Sequence, residues 1–210
     1  MDSILMLILA KIQDERFISD MYNKEYLYFK SLKYFRSNKE DPSGRLDSKE
    51  LNLKNVQLKY LSIKTGTKDI EISKIFSDFN AQYMEHLSSP KINCCSLYSF
   101  TIEPDNPNVN IDSRILDMGN MMLIIHNVTA FFKILDESNE RNNYKYSRKF
   151  VTYYKPETYD GALILHHKDQ AFDYQKEYQI LIAPTDKKPI KIELPGLREI
   201  STILDIESLK

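Results

Sequence analysis

The run Gln175-Lys176-Glu177-Tyr178-Gln179-Ile180-Leu181-Ile182-Ala183 sets both a strand and a surface. Successive side chains of a strand point to opposite faces, so residues two apart share one. With Tyr178, Ile180 and Ile182 turned toward a core, Gln175, Glu177 and Gln179 turn the other way. A carboxylate on the open face of a sheet can look into a cleft. The competing reading is a solvated sheet edge with ordinary polar residues, and spacing alone does not separate the two.

Around this strand the chain has 210 residues, enough to bury on the order of 70% of the surface its unfolded form exposes. A hydrophobic share of 42% beside 28% charged residues argues against disordered and fibrous classes. With a formal net charge of −1, any affinity for nucleic acid or an anionic membrane has to come from a local patch. The two cysteines, Cys94 and Cys95, are neighbours in the apolar run 92–100, where one points inward and the other away. Such neighbours rarely form a disulfide, which points to a reducing compartment and excludes a cysteine-only zinc site. The run 4–10 is apolar but follows Asp2 rather than a basic cluster, and it is too short to span a bilayer. Cytoplasmic is therefore the expected location.

Read along the chain, residues 4–12 form a buried strand, and 14–22 a helix carrying Phe17, Ile18 and Met21 at helical spacing. A β segment at 25–29 turns into 31–35, and 36–55 is a charged loop with the turn Asp41-Pro42-Ser43-Gly44. Strands are expected at 56–63, 91–102, 121–126, 161–166, 178–183 and 190–194. Residues 70–87 combine a short strand with a helix-like Ile75, Phe79, Met84 pattern. A helix opens at Val128 with Asn127 as its cap, and 197–204 reads as a closing helix. No repeat or linker interrupts this order. The expectation is a single α+β domain over 1–210, with a strand-rich split sheet as core and flanking helices.

The pair His166-His167 points to opposite faces of a strand and does not suit one metal ion, so no metal is expected. Asp47 lies in a loop without a partner acid at a persuasive spacing, which leaves metal-dependent phosphodiester cleavage a weak alternative. The densest basic and aromatic stretch holds Arg141, Lys145, Arg148 and Lys149, interleaved with Tyr144, Tyr146, Tyr153 and Tyr154. Such a mixture can neutralise phosphates and stack unpaired bases of single-stranded nucleic acid. A solvated loop followed by a strand with inward tyrosines explains the same letters.

Five segments together carry a resemblance: Leu5 to Lys11, Phe17 to Met21, Leu27-Tyr28-Phe29-Lys30-Ser31-Leu32-Lys33-Tyr34-Phe35, Arg36 to Glu50, and Tyr174-Gln175-Lys176-Glu177-Tyr178. In this order the chain resembles small bacterial proteins of the ADP-ribosyltransferase superfamily. The resemblance implies an NAD-consuming mono-ADP-ribosyltransferase, a toxin or phage-defence effector with a controlling antitoxin as partner. It makes NAD the co-substrate. The residues that match the family's pattern are Lys11, Ser31, Gln175 and Glu177, with lysine standing where the family carries Arg or His.

In the implied chemistry Glu177 hydrogen-bonds the ribose and strengthens that bond as an oxocarbenium develops. Gln175 orients the acceptor, Ser31 fixes Glu177, and Lys11 holds the dinucleotide. Arg36 or Arg45 would grip the pyrophosphate, and Tyr28 or Tyr34 would stack on nicotinamide. The acceptor is a macromolecule, with single-stranded RNA or DNA favoured by the basic tyrosine-rich stretch. The rival from another class is a non-catalytic module of the same fold that holds a nucleic-acid or protein partner.

Overall fold

A computed structural model describes residues 6–35, 46–47, 49–71, 74, 81–87, 91–103, 111–183, 185–186 and 188–209. In chain order its elements are β1 (Met6–Gln13), α1 (Glu15–Asn23), β2 (Tyr26–Ser31), α2 (Leu32–Phe35), β3 (Asn52–Leu58), β4 (Ser62–Thr65), β5 (Lys68–Glu71) and β6 (Ala81–His86). There follow β7 (Asn93–Ile102), α3 (Ser113–Leu116), β8 (Met121–Ile125), α4 (Val128–Arg141), β9 (Lys145–Phe150), β10 (Thr152–Tyr154), β11 (Gly161–Ala162) and β12 (His167–Asp169). A 3-10 turn, Gln170–Gln175, leads into β13 (Glu177–Ala183), β14 (Ile190–Glu193) and β15 (Ser201–Asp205). The fold is α+β and rich in antiparallel strands.

The main sheet is organised by β7. One of its edges pairs with β13, which in turn pairs with β9. Its other edge is shared. β1 pairs with it from Met6↔Ile102 to Ala10↔Tyr98, and β2 pairs only at Lys30↔Cys94 and Ser31↔Asn93. Beyond β1 lie β8 and β15, and beyond β2 lies β14. The sheet is thus split where β1 leaves β7 and β2 joins it, and Ser96 sits opposite the gap.

One face of this sheet is the main core. Leu9, Leu27, Phe29, Leu97, Leu123 and Ile180 are fully buried there, against Ile18 and Met21 of α1 and Phe131 and Leu135 of α4. Fully burying side chains of this size contributes roughly 1.5–3 kcal/mol each. As the alternation of 178–183 requires, Tyr178, Ile180 and Ile182 belong to this core. Cys95 does too, whereas Cys94 packs on the opposite face with Leu32, Leu51 and Leu181, and both thiols are free. The cap expected at Asn127 is present, its Oδ1 accepting from the Ala130 N–H at 3.1 Å.

A small sheet, β11-β3-β6, lies apart from the main one. It is tied down where the side-chain amides of Asn55 and Gln57 donate to the carbonyls of Pro156 and Tyr159.

Several boundaries differ from the sequence reading. Residues 197–204 are not a helix but a 3-10 turn, Leu197–Ile200, followed by β15, which pairs with β8. Buried Leu197 and Ser201 mimic a helical repeat, yet Gly196 at φ 91° enters the turn, and Thr202 and Ile203 favour the strand. Met84 belongs to β6, not a helix, and residues 75–80 lie outside the described residues. The strand expected over 56–63 divides into β3, starting at Asn52, and β4; the one at 161–166 shrinks to β11. The β segment expected at 25–29 is β2, which runs on to Ser31, and the residues after it, 32–35, form the short helix α2. Among the described residues no helix is long and apolar enough to cross a membrane.

Candidate active site

On the face of the sheet away from the main core, side chains of alternate residues line a cleft of about 260 Å³. From β7 come Cys94, Ser96 and Tyr98, from β2 Tyr28 and Lys30, and from the start of β13 Glu177 and Gln179, with Gln175 just before it. Tyr34 and Phe35 of α2, Leu46 and Glu50 of the segment before β3, and Lys168 of β12 complete the walls.

Backbone strain shapes the entry to β13. Lys176 is left-handed, at φ 43°, and closes the 3-10 turn through its N–H to the Asp173 carbonyl. This one-residue reversal brings Gln175 and Glu177 to the same cation. Lys168 Nζ donates to Gln175 Oε1 at 3.0 Å and to Glu177 Oε2 at 2.9 Å. All three side chains are buried, and the Tyr153 hydroxyl accepts the Glu177 backbone N–H at 2.9 Å.

Burial alone would raise the Glu177 carboxyl, but Lys168, the Ser96 hydroxyl and Lys11 hold it below its ordinary value. Burial pulls against the Lys168 charge as well, and Glu177, Glu50 and Asp47 more than offset it, raising that ammonium above an ordinary lysine. Glu50 goes the other way. Burial pushes its carboxyl up to about 8, with Glu177 and Asp47 adding to the rise and Lys168 opposing it. The cleft therefore holds two carboxyl groups in opposite states at neutral pH, the condition under which one fold can run two roles.

Lys11 reaches the cleft by an unexpected route. Ala10 and Ile12 pack on the cleft side of β1, so Lys11 alternates away from it. It lies at the split, where its Nζ donates to the Ser96 carbonyl at 2.8 Å and its side chain lines the cleft. Lysine thus supplies a hydrogen bond to β7 in the gap between its pairings with β2 and β1. Lys30, also at the cleft, holds its ammonium 3.8 Å from the centre of the exposed Tyr34 ring.

Of the residues expected at the site, Lys11, Tyr28, Tyr34, Gln175 and Glu177 are brought together in this one cleft. Ser31 is not. It pairs with Asn93 one residue beyond Lys30, and a step of one residue turns a side chain to the other face. The serine bonded to Glu177 is Ser96. Arg36 and Arg45 lie outside the described residues.

The basic stretch is not one surface. Arg148 turns to the helix side, where it forms a two-point contact with Asp136, at 2.7 and 3.2 Å, and stacks 4.2 Å over Phe132. Arg141 ends α4 and bonds Ser138 Oγ at 2.8 Å. Only Lys145 and Lys149, paired with Ala183 and Gln179, share the opposite side of β9, and both are exposed. His166 is buried with Nε2 3.0 Å from Ser147 Oγ, and His167 accepts from the Ile164 N–H. Among the described residues no group of three His, Cys, Asp or Glu side chains can hold a metal ion.

Glu50, Lys168 and Ser96 were missed by sequence reasoning. Ser96 had a weak signal, its place between Cys94 and Tyr98 on one face of the run 92–100, but Ser99 in the same run offers a second hydroxyl. Lys168 and Glu50 had none, because nothing local separates them from the many charged residues of 45–50 and 167–176.

No family model, curated protein or solved structure matches the chain.

Proposed function

We propose that the chain cleaves the bond between nicotinamide and ribose in NAD and transfers ADP-ribose to a macromolecular acceptor inside the cell. The observation that carries this reading is the buried Glu177 carboxylate, held ionised at the base of the cleft by Lys168. A fixed negative charge of this kind favours the transition state over the ground state, because the ribose gains positive charge as nicotinamide departs.

The remaining lining suits the dinucleotide. Three lysines, Lys11, Lys30 and Lys168, face one ionised carboxylate, Glu177, once Glu50 carries its proton, and the excess positive charge attracts a pyrophosphate. Tyr34 at the mouth and Tyr28 within offer rings to the nicotinamide end. Gln179, also in the lining, presents a side-chain amide to a carboxamide or a ribose hydroxyl. The cleft takes the nicotinamide and ribose, and the rest of the dinucleotide lies over its mouth. Lys145 and Lys149 are the cations left to guide a nucleic-acid acceptor.

One observation favours the rival, a non-catalytic module. The Lys168–Glu177 pair is 7% and 3% exposed, and an ion pair so deep also serves as a purely structural clamp. Incubation with NAD labelled separately in its adenylate and nicotinamide halves, together with cell extract, separates the two. Transfer of the adenylate label alone supports the transferase. Binding of NAD with no release of nicotinamide supports the module.

A further inference from the structure

We propose that Glu50 is the proton acceptor of this cleft, taking the proton from an O–H nucleophile, water or an acceptor hydroxyl, as that nucleophile attacks the ribose. This rests on the NAD-cleaving reading and assigns the second carboxyl group a role of its own. Glu50 is 4% exposed, yet it lines the same cleft as Glu177. Among the described residues its side chain takes one hydrogen bond, a long one, Gln179 Nε2 donating to Oε1 at 3.4 Å, and the Lys168 ammonium bonds Glu177 and Gln175 instead. A carboxyl group buried for structure alone is ordinarily bonded tightly or paired.

The backbone beside it is strained as well. Leu51 is buried at φ 71°, a conformation that costs a bulky residue on the order of 1–3 kcal/mol, and it stands next to Glu50 as Lys176 stands next to Glu177. Each of the two cleft carboxylates is therefore set by a left-handed neighbour. Such strain persists where the surrounding structure enforces it, and it collects at functional positions.

The bond between ribose C1′ and the pyridinium nitrogen breaks, its electron pair leaves with the ring, and nicotinamide departs neutral without needing an acid. The oxygen lone pair of the nucleophile forms the new bond to C1′, and its proton passes to the Glu50 carboxylate and then to solvent. Glu177, already ionised, stabilises the ribosyl cation and takes no proton.

The groups facing Glu50 are Lys168 on β12, Glu177 on β13, Cys94 on β7, Tyr154 on β10 and Asp47 in its own turn. Cys94 and Tyr154 are raised by burial and stay neutral, and Lys168 stays charged. With the Glu50 carboxyl at about 8, the proton-accepting form grows roughly tenfold per pH unit up to that point.

The test is hydrolysis of NAD by the full chain from pH 5.5 to 9.5, read as nicotinamide released per folded molecule, with water as the nucleophile. Wild type should rise with pH and level off near 8. Glu50→Gln should lose that limb and about 10²-fold or more of the plateau rate while binding NAD as before, and Glu50→Asp should restore a limb. Asp47→Asn, a control for the neighbouring acid, should keep it. A limb that survives in Glu50→Gln overturns the assignment, as does a wild-type rate that falls through pH 8, which would make Glu50 a proton donor. If wild type releases no nicotinamide at any pH, the NAD reading fails and the assignment fails with it.

Discussion

Lys168→Met removes the cation that two cleft side chains share while keeping the length of the stem. In the native protein Lys168 Nζ bonds Glu177 at 2.9 Å and Gln175 at 3.0 Å and lies 5.0 Å from the Phe172 ring. Breaking a buried pair by deleting one partner costs about 3–5 kcal/mol, because the other charge is left uncompensated. For a chain of this size that lowers the melting temperature by roughly 6–20 °C. The loss should depend on pH. In wild type the Glu177 carboxyl is depressed, so its stabilisation is present above the ordinary carboxylate value of 4.5 and is lost as pH falls. Without Lys168 the same carboxyl is raised by burial, and the variant loses stability as pH rises. The deficit against wild type is therefore larger at pH 8 than at pH 5. Glu177→Gln should cost less than Lys168→Met, since Glu50, relieved of its negative neighbour, can give up its proton and take over the cation. The double variant should recover most of the single losses. Urea unfolding of all four proteins at both pH values is the assay. Losses below about 1 kcal/mol, or additive losses in the double variant, would refute the buried pair as an energetic unit.

Glu50, with an ordinary carboxyl value of 4.5 raised to about 8, should make the protein roughly 4 kcal/mol less stable at pH 8 than at pH 5, and Glu50→Gln should remove that contribution in chemical unfolding. Gly119→Ala should destabilise by about 1–3 kcal/mol, because its Cβ would stand 2.4 Å from the Gln13 carbonyl group and force β1 to move; an unchanged melting temperature would contradict that close approach. Arg148→Ala should cost about 1 kcal/mol of stability through Asp136 and Phe132 and leave acceptor labelling per folded molecule unchanged. Lys145→Ala with Lys149→Ala should instead weaken labelling of single-stranded RNA or DNA and flatten its salt dependence, and equal labelling at all salt concentrations would favour a protein acceptor.

The strand at 178–183 was legible because its alternation is clean, and the face it assigned to Glu177 and Gln175 is the face that bears the cleft. Lys11 was legible by type and place, though alternation points it away from the cleft and only the split of the sheet brings it back. Ser31 failed for a reason of register: one position decides which face a residue occupies, and pairing with β7 is not written into 26–35. Glu50 and Lys168 failed because their importance lies in burial and in contacts spanning many residues, such as Glu50 with Gln179. Charged letters in polar segments look solvated until the fold covers them. The basic stretch at 141–154 misled in the converse way, since a strand divides adjacent charges between two faces.

Stabilisation of the ribosyl cation by Glu177 is measured by single-turnover release of nicotinamide from NAD in wild type and Glu177→Gln. With both proteins shown to be folded and to bind NAD, wild type should release nicotinamide and Glu177→Gln should do so about 10²-fold to 10³-fold more slowly. Equal rates in the two proteins, or no release by wild type above the rate in buffer, would contradict it.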